Sequence, residues 1–188
     1  CKQRETLHHV LNNCPIMLER YGWRHDSILT TLHDYLKRSN DLEIHADLPD
    51  RMEGISTIPT DIVVTKKRPD IVMVDRDKHE LVIIELSVPF EMNIKDTHAR
   101  KVERYEKLIS DIEANQYSVT YYPIEIGSLG YIDNDNILRL KSLLYKFMKN
   151  IKLSEVKNVL FKIILVCSPV IHHSKYEENW SWRALVKF

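Results

Sequence analysis

The sequence predicts an α/β domain with a mixed sheet, and three observations carry the prediction. Residues 68–74 and 81–88 are two β-branched runs separated by a charged, hydrophilic turn over 75–80, the pattern of an antiparallel hairpin. Residues 92–115 then place Val102, Tyr105, Leu108, Ile109 and Ile112 at helical spacing. Residues 117–126 return to β-branched and aromatic side chains, Tyr117, Val119, Tyr121, Tyr122 and Ile124, before Gly127 and Gly130. Strands, a helix and a further strand imply helices layered on a sheet.

The remaining elements follow in order. Residues 1–14 bear cysteine and histidine. Residues 15–39 read as helical: Pro15 suits a first turn, and Ile16, Leu18, Ile28, Leu29, Leu32, Tyr35 and Leu36 recur at helical spacing. Asp26 is placed to cap a second helix running to about residue 37, with Ser39 and Asn40 ending it. A short strand is expected over 42–46, then a loop through Pro49 and Gly54, then a short extended segment over 61–65. Two helices, 134–148 and 154–166, close the chain.

At 188 residues the chain is of ordinary single-domain size, and 44% hydrophobic residues suffice for a core. The longest nearly apolar run, 159–171, is interrupted by Lys162 and is too short to cross a bilayer, so no membrane partner is expected. The polar, basic start is not a signal peptide. It lacks methionine and falls inside a motif, as expected of a fragment of a larger protein. Formal net charge is zero, yet residues 41–53 carry five acids against Arg51, and residues 138–162 carry seven Lys/Arg against Glu155. Such a basic stripe suits a phosphate backbone, or equally a solvated helix face. Three cysteines make no disulfide framework; Cys167, inside an apolar run, reads as a small buried hydrophobe.

The chemistry centres on Asp70 and Glu85, two carboxylates inside runs that otherwise favour apolar residues. If Asp75 pairs with Glu80 across the turn, residue 70 lies opposite residue 85. Their Cβ atoms would then be roughly 5 Å apart on one face. Two buried like charges destabilise a sheet unless something positive lies between them, and a divalent cation is the natural occupant. Pro69, without a backbone donor, places Asp70 at a strand entrance. The helix that follows sets His98, Lys101 and Tyr105 on one face, able to lie over the hairpin with Val102 and Leu108 packed nearby. Two carboxylates holding Mg²⁺, with a lysine beside them, suit metal-assisted phosphodiester hydrolysis.

The pattern Pro69-Asp70 … Glu85 resembles the PD-(D/E)xK nuclease superfamily, whose αβββαβ core would cover roughly residues 26–126. Most members carry a lysine two positions after the second acid; here that position is Ser87, and Lys101 is the candidate replacement. The segments RPDIVMVD, ELVIIELSVPFE, HARKVERYEKL and YYPIEIGSLGY are similar to the restriction-like endonuclease domain of site-specific non-LTR retrotransposons. Upstream, ETLHHVLNNC and RHDSIL resemble the zinc knuckle and linker that precede it. The resemblance divides the chain into a partial CCHC knuckle (1–14), a helical linker and first core helix (15–40) and an endonuclease domain (41–188). It implies a nuclear protein that nicks double-stranded target DNA with Mg²⁺ or Mn²⁺, so that a reverse transcriptase in the intact protein, carrying element RNA, primes on the exposed 3′ end. Asp70, Glu85 and Lys101 would be catalytic, with Tyr105 an accessory. Arg68 would shape the entrance and contact phosphate, and Glu91 would orient the lysine.

Cys1, His9 and Cys14 are spaced C-x7-H-x4-C, with His8 the adjacent alternative ligand. Tetrahedral Zn²⁺ needs a fourth ligand, which a cysteine two or three residues before Cys1 would supply, so zinc is expected in the intact protein and weakly or not at all here. Arg24 and His25, read as preceding a helix, are candidate contacts to DNA phosphates at its start, His25 equally a structural residue. Trp180 and Trp182 read as packing elements rather than a base-stacking platform. Two other functions compete with the nicking endonuclease. One is a binding module of the same fold that has lost activity, with Ser87 as its sign. The other is a Holliday-junction-resolvase-like nuclease.

Overall fold

A computed structural model describes residues 1–39, 41–48, 55–148, 150–177 and 180. It is α/β, with one open four-stranded mixed sheet and helices on both faces. The order is α1 (Leu18–Ser39), β1 (Glu43–Ala46), β2 (Ile71–Asp75), β3 (Glu80–Ser87), α2 (Ile94–Ala114), β4 (Ser118–Glu125), α3 (Asn134–Phe147) and α4 (Leu153–His173). The strands lie in chain order: β1, β2 and β3 are antiparallel neighbours, and β4 joins β3 in parallel. A parallel neighbour requires a long crossover, and α2 supplies it.

The expected hairpin register is present: Asp75 pairs with Glu80 and Ile71 with Ile84. Because side chains alternate across a strand, the central strands feed two cores. Ile71, Met73, Val82, Ile84 and Leu86 pack on one face with Ile28, Leu29, Leu32 and Leu36 of α1 and with apolar residues of α3 and α4. Val72, Val74, Leu81 and Ile83 face Tyr105, Leu108 and Ile112 of α2, with Ile58 and Ile62 from the preceding loop. Apolar residues on both faces of β2 and β3 explain why their runs are continuous rather than alternating.

Four expectations need correction. Residues 18–39 form one uninterrupted helix, so Asp26 caps nothing; it turns to His25 instead. Residues 60–62 form a turn, not an extended segment; Ile62 is buried there while Val64 stands exposed. Val102 is exposed, because at its position α2 has already rotated away from the sheet. Finally, α4 runs past residue 166 and through Pro169, since Val156, Leu160, Ile163, Ile164, Cys167 and Ile171 prolong one buried stripe along it. Cys167 is fully buried, as expected, and burial pushes its thiol up to about 12. Trp180 packs edge-on against Trp23 under the Arg20 guanidinium; Trp182 and the expected loop at 49–54 lie outside the described residues.

Candidate active site

Asp70 stands one residue before β2, and Glu85 lies near the end of β3. Both are buried, at 9% and 3% exposure. The Glu85 Oε2 atom accepts a bond from the Asp70 amide at 3.3 Å, and the Asp70 Oδ2 atom accepts from the Leu86 amide at 2.6 Å. The two side chains thus interlock with each other's backbone at the point where regular pairing stops. Outside the strands, the Asp70 carbonyl takes the Asp47 amide at 2.8 Å, tying this corner to the end of β1.

Each carboxylate has a cation from a different layer. Lys101 of α2 forms an ion pair with Glu85. From α1, the His25 Nε2 atom lies 3.3 Å from Asp70 Oδ2, while its Nδ1 atom lies 3.0 Å from Asp26. Burial raises the Glu85 pKa above the ordinary carboxylate value, and the Asp70 charge adds to it, with Lys101 opposing. For His25 burial acts downward, but the bonds to Asp26 and Asp70 outweigh it and raise the pKa from 6.5 to about 10, so the ring is an imidazolium at neutral pH.

Tyr105 is fully buried under the acids, and its hydroxyl donates to the Arg68 carbonyl at 3.4 Å. Burial and then Glu85 raise its pKa, keeping it a proton donor. Tyr121 of β4 bonds the Lys101 carbonyl at 3.2 Å, which anchors the turn of α2 that presents the lysine. Arg68 pairs with Asp47 at the edge of the site and stays a third exposed. Beside this group opens a cleft of about 300 Å³, walled by His25, Ser87, Arg100 and Lys101 with residues 88–90 along its floor.

The structure therefore brings Asp70, Glu85, Lys101 and Tyr105 together, with Arg68 at the rim. It moves Arg24 and Glu91 elsewhere. Arg24 sits inside α1, not before it, and is 1% exposed; its guanidinium bonds the Leu11 carbonyl at 3.0 Å and Ser168 Oγ at 3.1 Å, out of reach of phosphate. His25, one residue on and about 100° round the helix, reaches Asp70, a role that nothing local in the sequence signals. Glu91 accepts the Leu129 amide at 2.6 Å and fills the space over Gly127, where an added Cβ would come within 2.3 Å of its carboxylate. It orients that turn rather than the lysine.

At the other end of the cleft, one turn of π-helix, His9–Asn13, follows the first cysteine. The Cys1, His9 and Cys14 ligand atoms all lie within 4.8 Å of one another, with Cys1 Sγ 3.2 Å from His9 Nε2. Tetrahedral zinc–sulfur and zinc–nitrogen bonds place such atoms about 3.5–3.8 Å apart, so with a small closing movement these three could hold one metal ion. His8 is not part of the group: it bonds Asn13 at 2.7 Å and Asn93 at 3.1 Å.

A third buried acid was not singled out from the sequence. Glu125, 1% exposed at the end of β4, lies between His98 at 3.2 Å and Arg139 at 3.5 Å. In comparisons with known proteins, no protein-family model and no curated protein matches this chain.

Proposed function

We propose that the chain is a metal-dependent DNA endonuclease domain with a PD-(D/E)xK core, of the kind that nicks target DNA for a non-LTR retrotransposon. The observation that carries the reading is the convergence of Asp70, Glu85 and Lys101 where β2 starts and β3 ends. The order α1, β1–β3, α2, β4 supports it, since it is the order of that core. Double-stranded DNA in the nucleus would be the substrate, and the reverse transcriptase and RNA would belong to the intact protein.

The donor set fits a hard divalent cation: two buried carboxylates side by side, with Glu85 held above its ordinary pKa by burial and then by the Asp70 charge. Asp70 and Glu85 would hold Mg²⁺ or Mn²⁺, which when bound supplies Lewis-acid polarisation of the phosphate and a more acidic water. Lys101, a quarter exposed toward the cleft, steadies Glu85 and stabilises the negative charge that builds on the phosphate oxygens as water attacks phosphorus and the P–O3′ bond breaks. His25 holds the Asp70 carboxylate from the opposite layer, and Tyr105 supports the strand entrance through the Arg68 carbonyl. Cys1, His9 and Cys14 suit Zn²⁺ in a structural role, thiolate and imidazole being its usual donors.

One observation favours a second reading: Lys101 is already committed to Glu85, as it would be in a binding module without activity. Relaxation of supercoiled plasmid separates the two. The expected result is Mg²⁺-dependent nicking that falls at least about 10²-fold in Asp70→Asn. Equal nicking by both proteins defeats the nuclease reading, and DNA binding without any nicking selects the alternative.

A further inference from the structure

The cleft beside the acids has a second wall that the proposed chemistry leaves unused. The π-helical turn His9–Asn13 contributes Asn12 and Asn13, and Asn93 joins them from just before α2. The Asn12 Nδ2 atom donates to the Val88 carbonyl at 2.7 Å, which fixes the amide's orientation, because the flipped form would set two acceptors against each other. Its Oδ1 atom is then buried without a hydrogen-bond partner among the described residues. A buried acceptor with no donor is unfavourable, and a ligand that supplies an N–H relieves it. At the same mouth the Phe90 ring packs against His8, centroids 4.7 Å apart, and Arg100 stands at the rim.

An amide whose buried acceptor lacks a partner among the described residues, a planar aromatic ring and a guanidinium around about 300 Å³ make a complement for one nucleotide. The amide suits a base edge, the ring a base face, and the guanidinium a phosphate. Resting on the nuclease reading, we propose that this wall reads the base of the nucleotide next to the broken phosphodiester, with Asn12 as the residue that sets base preference. The base turns out of its stack to enter, as it does in enzymes that enclose a single base.

The test is cleavage of a randomised duplex pool by the 188-residue protein with Mg²⁺, followed by sequencing of the cut ends. The wild-type protein is expected to show a base preference at one position beside the break. In Asn12→Ala that preference falls about tenfold, the size of one hydrogen-bonded base contact, while any bias at other positions stays. Asn93→Ala, which among the described residues removes the side-chain bond to His8, gives a smaller fall at the same position and serves if Asn12→Ala fails to melt cooperatively. Cleavage with no bias beside the break, or with a bias that neither substitution changes, overturns base reading and leaves the nuclease intact. No cleavage by the wild-type protein removes both.

Discussion

Glu85 on β3 and Glu125 on β4 are buried to nearly the same degree, yet the two clusters around them handle charge in opposite ways. Glu125 is a single acid between two basic side chains, His98 and Arg139. Its backbone amide is taken by the Asn136 side chain at 2.8 Å, and Arg139 bonds the same amide oxygen at 3.3 Å, which closes the network between α2, β4 and α3. Glu85 instead has a second acid against it, so burial and repulsion act together, and Lys101 and His25 must approach from different layers to offset them. Burying a charge is tolerable when its partners satisfy it, as at Glu125. Burying two like charges together is costly, and it suits a site that takes up further positive charge, as the proposed metal centre would. The contrast separates a clasp from a candidate active site on neighbouring strands of one sheet.

Substitutions break this contrast in a predictable order. Lys101→Met should lower Mg²⁺-dependent nicking about 10²-fold, because the ammonium paired with Glu85 is lost. Single-turnover cleavage measures it, and a rate within twofold of wild type would remove Lys101 from the chemistry while sparing the acids. Glu125→Ala should act on stability instead: about 2 kcal/mol in urea unfolding, below the usual loss for a broken buried pair because His98 and Arg139 remain partly exposed. A larger effect on nicking than on stability would show that the two clusters are not separate.

The smallest effect is a pH dependence. The folded pKa of His25 is raised, so its contribution is complete below its ordinary 6.5 and is lost as pH rises toward about 10. Glu85 is also raised, so its ionisation weakens the fold as pH climbs above about 4.5, in wild type and His25→Gln alike. Urea midpoints between pH 6 and 10 should therefore fall more steeply in the wild-type protein than in His25→Gln. Parallel curves would mean that the imidazolium contact to Asp70 contributes nothing to stability.

Much of this was legible along the chain. The hairpin register followed from Asp75 and Glu80, and with it the opposition of residues 70 and 85. Helical spacing placed Lys101 and Tyr105 on the face of α2 that lies over those acids. The errors share a cause. Arg24 and His25 are adjacent polar residues in one helix, and a single residue step of about 100° sends one into the core and the other to the acids. Glu91 and Asn12 likewise take their roles from partners 38 and 76 positions away.

The sequence by itself determined the strands, the helices and the opposition of two carboxylates, because backbone periodicity and a short turn are local properties. Tertiary structure decided which cation balances which acid, that Arg24 is interior, and that an amide from residues 9–13 faces the same cleft as Lys101. Those outcomes depend on how α1, α2 and the π-helical turn pack around the end of one hairpin. Packing is set by side chains far apart in the chain, whose meeting no local pattern encodes.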